Sequence, residues 1–294
     1  MQLLAGIETG GTKILARLDN REDGSVLAER RWDTGSAGQA ADDLALFLSE
    51  AAGDNQLVAV GMAAFGPLIV DPESPDYGEM QSTNKPGWAG SNLREELQSR
   101  LSVPVAVDSD VNAAAVAEQA LGAGKGLPSV AYVTVGTGIG AGLAIDGTGL
   151  KGAIHPEAGH LPIVRHPNDR EQSVCRFHPS CAEGLASGPA VRRRLGANRH
   201  LADDPMVMEL LADYLGQLSM SLILAWSPCR IVWGGGVIGA APLIPLIESR
   251  LRELLGGYGV GPAVEQPGFC VPAALGNAGL EGAMMMARRL ADRR

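Results

Sequence analysis

Twice in this chain a short apolar run breaks at a cluster of glycines and then resumes, and no other feature restricts the fold as much. The first instance spans residues 3–18: an apolar run over 3–7, the turn Gly10-Gly11-Thr12-Lys13, and a second apolar run over 14–18. The second spans 130–145: an apolar run over 130–135, glycines at 136, 138, 140 and 142, and a further run over 143–145. Runs of this length bounded by glycine read as strands, so each instance is a strand, a glycine turn and a strand. Each one opens an alternation of strand-like and helix-like segments, the mark of an α/β chain, and the doubled opening predicts a duplicated architecture with phosphates held between the halves.

The intervening segments fit that reading. Helical spacing runs over 40–52 (Leu44, Phe47, Leu48), 91–101, 113–121, 210–226, 243–255 and 280–290, and strand patterns run over 57–64, 103–107 and 230–233. The methionines at 284–286 read as core filler. Residues 65–88 form a loop rich in proline, glycine and acids, long enough to suggest a function. Its tip, residues 84–88, offers the Asn84 amide, Lys85 and an aromatic wall at Trp88 to a polar ligand, and Asn84 and Lys85 are taken as substrate-binding.

Both glycine clusters invite familiar nucleotide motifs, and both fail their context. A P-loop requires G-x-x-x-x-G-K-[ST] followed by a helix, and the first cluster has neither. Gly136-x-Gly138-x-x-Ala141 fits a dinucleotide fingerprint, but that fingerprint must open a helix, and the following LAIDG reads as strand and turn. Hairpins with bare backbone N–H groups still cradle phosphate oxygens, here at Gly10, Gly11, Thr12 and Lys13 and again at Gly136, Thr137 and Gly138. Glu8, just before the first turn, is placed to hold Mg2+ through water. Gly234, Gly235 and Gly236 end a strand and leave room for a nucleobase or ribose against the backbone.

Two further constellations carry chemistry. The strand over 103–107 ends in Asp108-Ser109-Asp110, ahead of an alanine-rich helix. Helix-terminal N–H groups favour an ionised carboxylate there, which suits Asp110 as a general base or as a helix cap, with Asp108 the rival for either role. Cys175, His178 and Cys181 sit three apart, and His160 lies fifteen residues upstream, a closed two-His, two-Cys set for structural Zn2+. Four protein ligands leave no open position for catalysis. His155 and His160 are five apart with proline and glycine between them, which excludes the metalloprotease H-E-x-x-H arrangement.

Composition narrows the partners. A net charge of -9 and a pI near 5.1 disfavour nucleic acid. The run Arg192-Arg193-Arg194 reads as a solvated helix end. The start carries no secretory leader and no membrane-spanning run, and four cysteines with no leader suggest a reducing, cytoplasmic setting.

Taken together, GIETGGTK, DSDVNAAA, VTVGTGIGAG, HPEAGH, CRFHPSCAEGLASGPA, VWGGG and GNAGLEGA resemble the ROK family of sugar kinases, most closely its fructokinases, over nearly the whole chain. The resemblance implies a hexokinase/actin-like (ribonuclease H-like) duplicated two-domain fold with a catalytic cleft, ATP, Mg2+, structural Zn2+ and a homodimer. It divides the chain into residues 1–115 as the small domain, with the helix at about 279–294 packing back on it, and 116–278 as the large domain carrying the zinc loop. It makes Asp110 the base and has Glu157, His160 and Glu183 hold sugar hydroxyls. The three glycine motifs, with Gly276 and Asn277, hold the nucleotide. The implied reaction is phosphorylation of a hexose at its 6-hydroxyl, with D-fructose first and mannose or glucose as alternatives. Ser109 stands where glucokinase-like members carry a sugar-binding asparagine, and Pro179-Ser180 replaces a Gly-acid pair in the metal loop. The family's sugar-sensing repressors carry a DNA-binding module ahead of the first hairpin, for which a strand starting at Leu3 leaves no room.

Overall fold

The computed structural model describes residues 1–83, 85–197, 199–260 and 262–293. Chain contacts divide it into two compact units. The first comprises Met1–Ala117, Gly149–Pro156 and the chain from Asn277; the second comprises Glu118–Thr148 and Glu157–Gly276.

The first unit begins β1 (Gln2–Thr9), β2 (Lys13–Asn20), β3 (Val26–Asp33), α1 (Ala37–Ala52), β4 (Gln56–Ala64), α2 (Leu93–Leu101), β5 (Val105–Ser109) and α3 (Asp110–Leu121), the last crossing into the second unit after Ala117. Its five strands run in the order β3-β2-β1-β4-β5. The β1/β2 and β2/β3 pairs are antiparallel, while β1/β4 and β4/β5 are parallel.

The second unit continues with β6 (Ser129–Val135), β7 (Ile139–Ile145), β8 (Thr148–Gly149), α4 (Ala182–Ala186), α5 (Gly188–Leu195), α6 (Pro205–Trp226), β9 (Ile231–Gly234), α7 (Gly236–Gly239), α8 (Leu243–Leu255), α9 (Pro262–Glu265) and β10 (Cys270–Pro272). The closing α10 (Ala278–Asp292) belongs to the first unit. Its sheet order is β10-β9-β6-β7-β8. Read from the other edge, this is the order of the first sheet, and again the first pair, β6/β7, is antiparallel while β6/β9 and β9/β10 are parallel. The duplication expected from the two glycine hairpins is therefore present strand for strand, and the fold is the α/β class inferred from sequence.

In the first unit one sheet face packs on α1 and α2 through Leu44, Phe47, Leu48, Leu93 and Leu97. The other face packs on α10, where Leu4 and Ala59 meet Met284, Ala287 and Ala291. That second layer is unusually close. A Cβ on Gly61 would lie 2.0 Å from the Ala283 carbonyl oxygen, and one on Gly6 would lie 2.5 Å from Met284 Sδ. Gly61→Ala should therefore push α10 off the sheet and cost about 1–3 kcal/mol. Thermal unfolding checks this against Gly38→Ala, which meets open space in α1 and should not destabilise.

Strand β3 has no apolar alternation and was not anticipated. It is an edge strand on which Glu29, Arg30 and Arg31 are all exposed, a charge pattern that protects an edge from further pairing. Ala28 and Trp32 tie it inward, the latter edge-on to Phe47 at 5.3 Å. Between 182 and 195 two short helices, α4 and α5, meet at Ser187, whose backbone leaves the helical region (φ -69, ψ 166). Helix α6 is long and apolar enough to span a membrane by length and composition, but two thirds of its apolar window is buried. Its Asp213 bonds Arg250 of α8 at 2.8 Å, so it is a core helix.

Candidate active site

The first hairpin is closed by its own backbone. Gly10 N–H donates to the Lys13 carbonyl at 2.8 Å, and Thr34 braces the turn by donating its hydroxyl to Gly10 O at 2.7 Å and its N–H to Thr12 O at 3.1 Å. Gly11 and Thr12 are exposed at the tip. Lys85, expected on the sugar, places its ammonium on the Gly11 carbonyl at 2.9 Å. Asn84 lies outside the described residues. Trp88 corrects an expectation: it is 1% exposed, packs on Phe65 at 4.7 Å and donates its indole N–H to Gly35 O. A ring held that way is core and offers no wall to a ligand.

Glu8 ends beside the N-terminus of α10. Burial raises its carboxyl against the opposing pull of the Lys13 charge and the Leu280 N–H, and a Cβ on Gly279 would come within 2.9 Å of its carboxyl carbon. Its Oε2 is buried without a protein partner. An orphaned buried carboxylate oxygen beside a glycine hairpin fits the donor chemistry of a hydrated magnesium ion.

At the end of β5 the two aspartates separate into roles. Asp108 Oδ1 accepts from Ser109 N–H at 2.7 Å and from the Asn112 side chain at 3.0 Å, and burial raises its carboxyl. Asn112 also donates to Leu150 O at 2.9 Å, so Asp108 organises the chain around it. Ser109 is fully buried and its hydroxyl accepts from Asn112 N–H, an N-terminal cap. Asp110 opens α3 half-buried, its Oδ1 accepting from Val111 N–H at 2.8 Å. The cap role thus falls to Ser109.

His155 lies in the same unit. Leu68 N–H donates to its Nε2 at 3.3 Å, which leaves Nδ1 the protonated nitrogen, 3.2 Å from Pro156 O. Burial pushes its pKa down, countered in part by that carbonyl. Below the usual histidine range near 6.5 the unfolded chain binds a proton that the folded chain refuses, so stability falls with falling pH, by at most about 1.4 kcal/mol per pH unit. Chemical denaturation of the wild type and His155→Gln at pH 5, 6 and 7 isolates this contribution: as pH falls, the wild type should lose stability relative to the variant.

In the second unit the turn over 136–138 is tighter than expected, because β7 already begins at Ile139 and includes Gly140 and Gly142. A strand after these glycines excludes the dinucleotide fingerprint. Gly136 N–H donates to Gly138 O at 2.9 Å, and Gly188 N–H, at the start of α5, donates to Gly136 O at 2.7 Å. Glu183 on α4 accepts from Ile139 N–H at 3.0 Å, and a Cβ on Gly138 would lie 2.5 Å from its Oε2. The other oxygen, Oε1, faces His160 Nε2 at 3.8 Å. A Cβ on Gly159 would strike the Ile139 carbonyl at 1.7 Å, so the short turn Ala158–His160 lies flat on the same strand. Glu157, His160 and Glu183 are thus gathered at the start of β7. Burial, and then the Glu183 charge, push the Glu157 carboxyl up to about 7.

His160, Cys175, His178 and Cys181 bring their ligand atoms within 4.8 Å of one another. Cys175 Sγ lies 3.8 Å from His160 Nδ1 and 3.7 Å from His178 Nδ1, and Cys181 Sγ lies 3.7 Å from His160 Nδ1. A tetrahedral zinc with Zn–S about 2.3 Å and Zn–N about 2.0–2.1 Å sets S···N near 3.5 Å, so the set fits that ion. Burial raises the Cys181 thiol to about 11, and a bound dication reverses that preference. Pro179-Ser180 does not displace the ligands: Ser180 accepts from Ile163 N–H at 3.0 Å, beside the Pro162–Cys181 bridge.

One sequence expectation changes here. Arg194 is not solvated: its side chain is 4% exposed and forks onto Asp169 at 2.6 and 3.3 Å, with Tyr214 hydroxyl donating to the same carboxylate at 2.6 Å. No local signal marks this network, since Asp169 sits among charges that read as a surface loop. At the end of β9, a Cβ on Gly234 would lie 2.2 Å from the Tyr132 hydroxyl and one on Gly235 (φ +90) 2.4 Å from Val135 O. Their bareness serves packing, and only Gly236 of the three faces open space.

Comparison with known proteins matches the ROK family over residues 4–290. A fructokinase of Zymomonas mobilis subsp. mobilis is 36% identical over 288 residues, 96% of this chain and 95% of that one. A fructokinase of Pediococcus pentosaceus is 34% identical over 288 residues, 97% of this chain and 98% of that one. Among solved structures, a ROK family glucokinase from Streptomyces griseus in complex with glucose and AMPPNP is 26% identical with a TM-score of 0.77, covering 98% of this chain and 99% of that one.

Proposed function

The chain belongs to the ROK family, and from that membership we propose that it is an ATP-dependent hexose kinase that phosphorylates D-fructose at its 6-hydroxyl. The relatives named fructokinase are 34% and 36% identical, against 26% for the glucokinase, which favours fructose over glucose. The observation that carries the chemistry is the division of labour at the end of β5. Asp108 is engaged by Ser109 and Asn112, and Asp110 stands at a helix N-terminus with a carboxylate suited to accept a proton.

In this reading Asp110 takes the proton of the 6-hydroxyl as that oxygen bonds to the γ-phosphorus and the bond to ADP breaks. Lys13 and the backbone N–H groups of the two glycine hairpins hold phosphate charge, because such transfers depend on positioning and electrostatics. Magnesium, held through water by Glu8, supplies charge neutralisation on the phosphates when bound. Glu157, His160 and Glu183 accept from and donate to sugar hydroxyls. The ring of His160 serves twice: Nδ1 faces the two thiols, so a zinc held there would fix the tautomer and leave Nε2–H facing Glu183.

Zinc is then a rigid frame for sugar recognition. Cys181→Ala should take the zinc content of the purified protein from one per chain to near zero and raise KM for fructose more than it lowers kcat. A zinc-free wild type with normal KM would remove the frame from the mechanism. The acceptor is tested by coupled ADP release over fructose, mannose, glucose and N-acetylated hexosamines. Fructose should give the highest kcat/KM; a clear preference for another hexose overturns the substrate assignment and leaves the kinase reading intact.

A further inference from the structure

Glu118 is fully buried, yet the chemistry above makes no use of it. It is the residue at which α3 enters the second unit, and both its oxygens are taken by backbone. Oε2 accepts from Ala123 N–H at 2.7 Å and Oε1 from Leu275 N–H at 2.9 Å. The main-chain carbonyl of Glu118 also closes the helix end, accepting from Gly122 and Gly124 N–H at 3.1 and 2.9 Å. Gly122 lies so close that a Cβ would fall 2.0 Å from Oε2, so the carboxylate is gripped from several sides. Leu275 is one residue before the point where the chain leaves the second unit at Gly276 and enters the first at Asn277. One carboxylate therefore ties the first segment to enter this unit to the last segment to leave it.

Beyond Leu275, the Asn277 carbonyl accepts from Glu281 N–H at 3.0 Å and Leu280 N–H meets Glu8. Between those anchors sits Gly276, with open space where a side chain would be, followed by Asn277 at the N-terminus of α10. A glycine flanked by two fixed amides is free to turn its peptide while its ends stay put.

We propose that Glu118 is a positioning residue for the nucleotide: by holding Leu275 it sets the height and direction of the Gly276–Asn277 peptides that, on the kinase reading above, lie against ATP. It does not touch the reacting atoms. Loss of its grip leaves the sugar-binding residues at the start of β7 in place and lets the nucleotide-side loop drift.

Glu118→Gln keeps size and shape but turns one of the two acceptors into an N–H facing an N–H. Calorimetry with a non-hydrolysable ATP analogue and, separately, with fructose reads the two ligands apart. The expected result is a weakening of analogue binding by about tenfold, equivalent to 1.4 kcal/mol, with fructose affinity unchanged. A general structural role would weaken both or neither. Leu275→Ala, which keeps the donating N–H, should leave analogue binding unchanged. Hydrogen exchange on the wild type tests the grip with no substitution: the Leu275 amide should be protected before nucleotide is added, and Gly276–Asn277 should gain protection with it. Unchanged analogue affinity in Glu118→Gln, equal loss of both ligands, or an unprotected Leu275 amide overturns the assignment. A wild type that binds no analogue overturns the kinase reading and this assignment with it.

Discussion

Asp110→Asn should lower kcat by about 10²–10⁴-fold, the range over which a positioned general base contributes, while the affinity for fructose stays within a few-fold of wild type. Asparagine keeps the oxygen that accepts from Val111 N–H, and the helix start is capped by Ser109 in any case, so folding should be preserved. What the amide cannot do is take a proton. The matched variant, Asp108→Asn, should behave differently. Its carboxylate accepts from Ser109 and Asn112, and Asn112 in turn holds Leu150, so its loss should register first as a lower Tm. Steady-state ADP release, fructose calorimetry and thermal unfolding on both variants separate the roles. Near-normal turnover in Asp110→Asn would end its assignment as the base.

Arg194→Leu is expected to destabilise the protein by about 3–5 kcal/mol, because it strips the bonded guanidinium from a buried Asp169 carboxylate and leaves only the more distant Arg165, at 3.9 Å, among its described cationic partners. The pair is 4% and 2% exposed at its side chains, so solvent does not screen the loss. For a domain of this size such a change lowers Tm by about 10 °C or more. The double variant Asp169→Leu/Arg194→Leu should recover most of it, since an apolar pair carries no stranded charge. Burial acts to raise the Asp169 pKa, but hydrogen bonds from Arg194 and Tyr214 outweigh it and the net shift is downward. The contribution is therefore complete above the ordinary aspartate range and is lost as pH falls through the lowered value. Asp169 lies between His160 and Cys175 in sequence, so the network anchors the metal-binding segment independently of any ion. Denaturant titrations of the single and double variants check the additivity.

Local chemistry decided how much could be read in advance. The glycine hairpins and the clustering of His160, Cys175, His178 and Cys181 are legible because turn geometry and coordination each demand particular residue types at short spacing. Strand β3 was silent because an edge strand hides its signal behind charges. The Asp169–Arg194–Tyr214 network was silent because its members lie 25 and 45 residues apart and each alone reads as surface or core. Trp88 is misleading in sequence because a proline- and acid-rich loop suggests exposure, whereas here the loop folds its indole into the sheet's core. The Gly234-Gly235 pair has a packing reason that the sequence does not show. A missing side chain marks a close approach, and sequence does not reveal whether a ligand or another part of the chain makes it.

The central claim is that this chain moves the terminal phosphoryl group of ATP onto a hexose hydroxyl. Phosphorus NMR of the purified protein with MgATP and fructose tests it most directly. The account predicts loss of the γ-phosphate signal, equimolar ADP and a single new monoester resonance matching fructose 6-phosphate. Intact ATP after prolonged incubation with every hexose tried, or inorganic phosphate as the sole product, would contradict it.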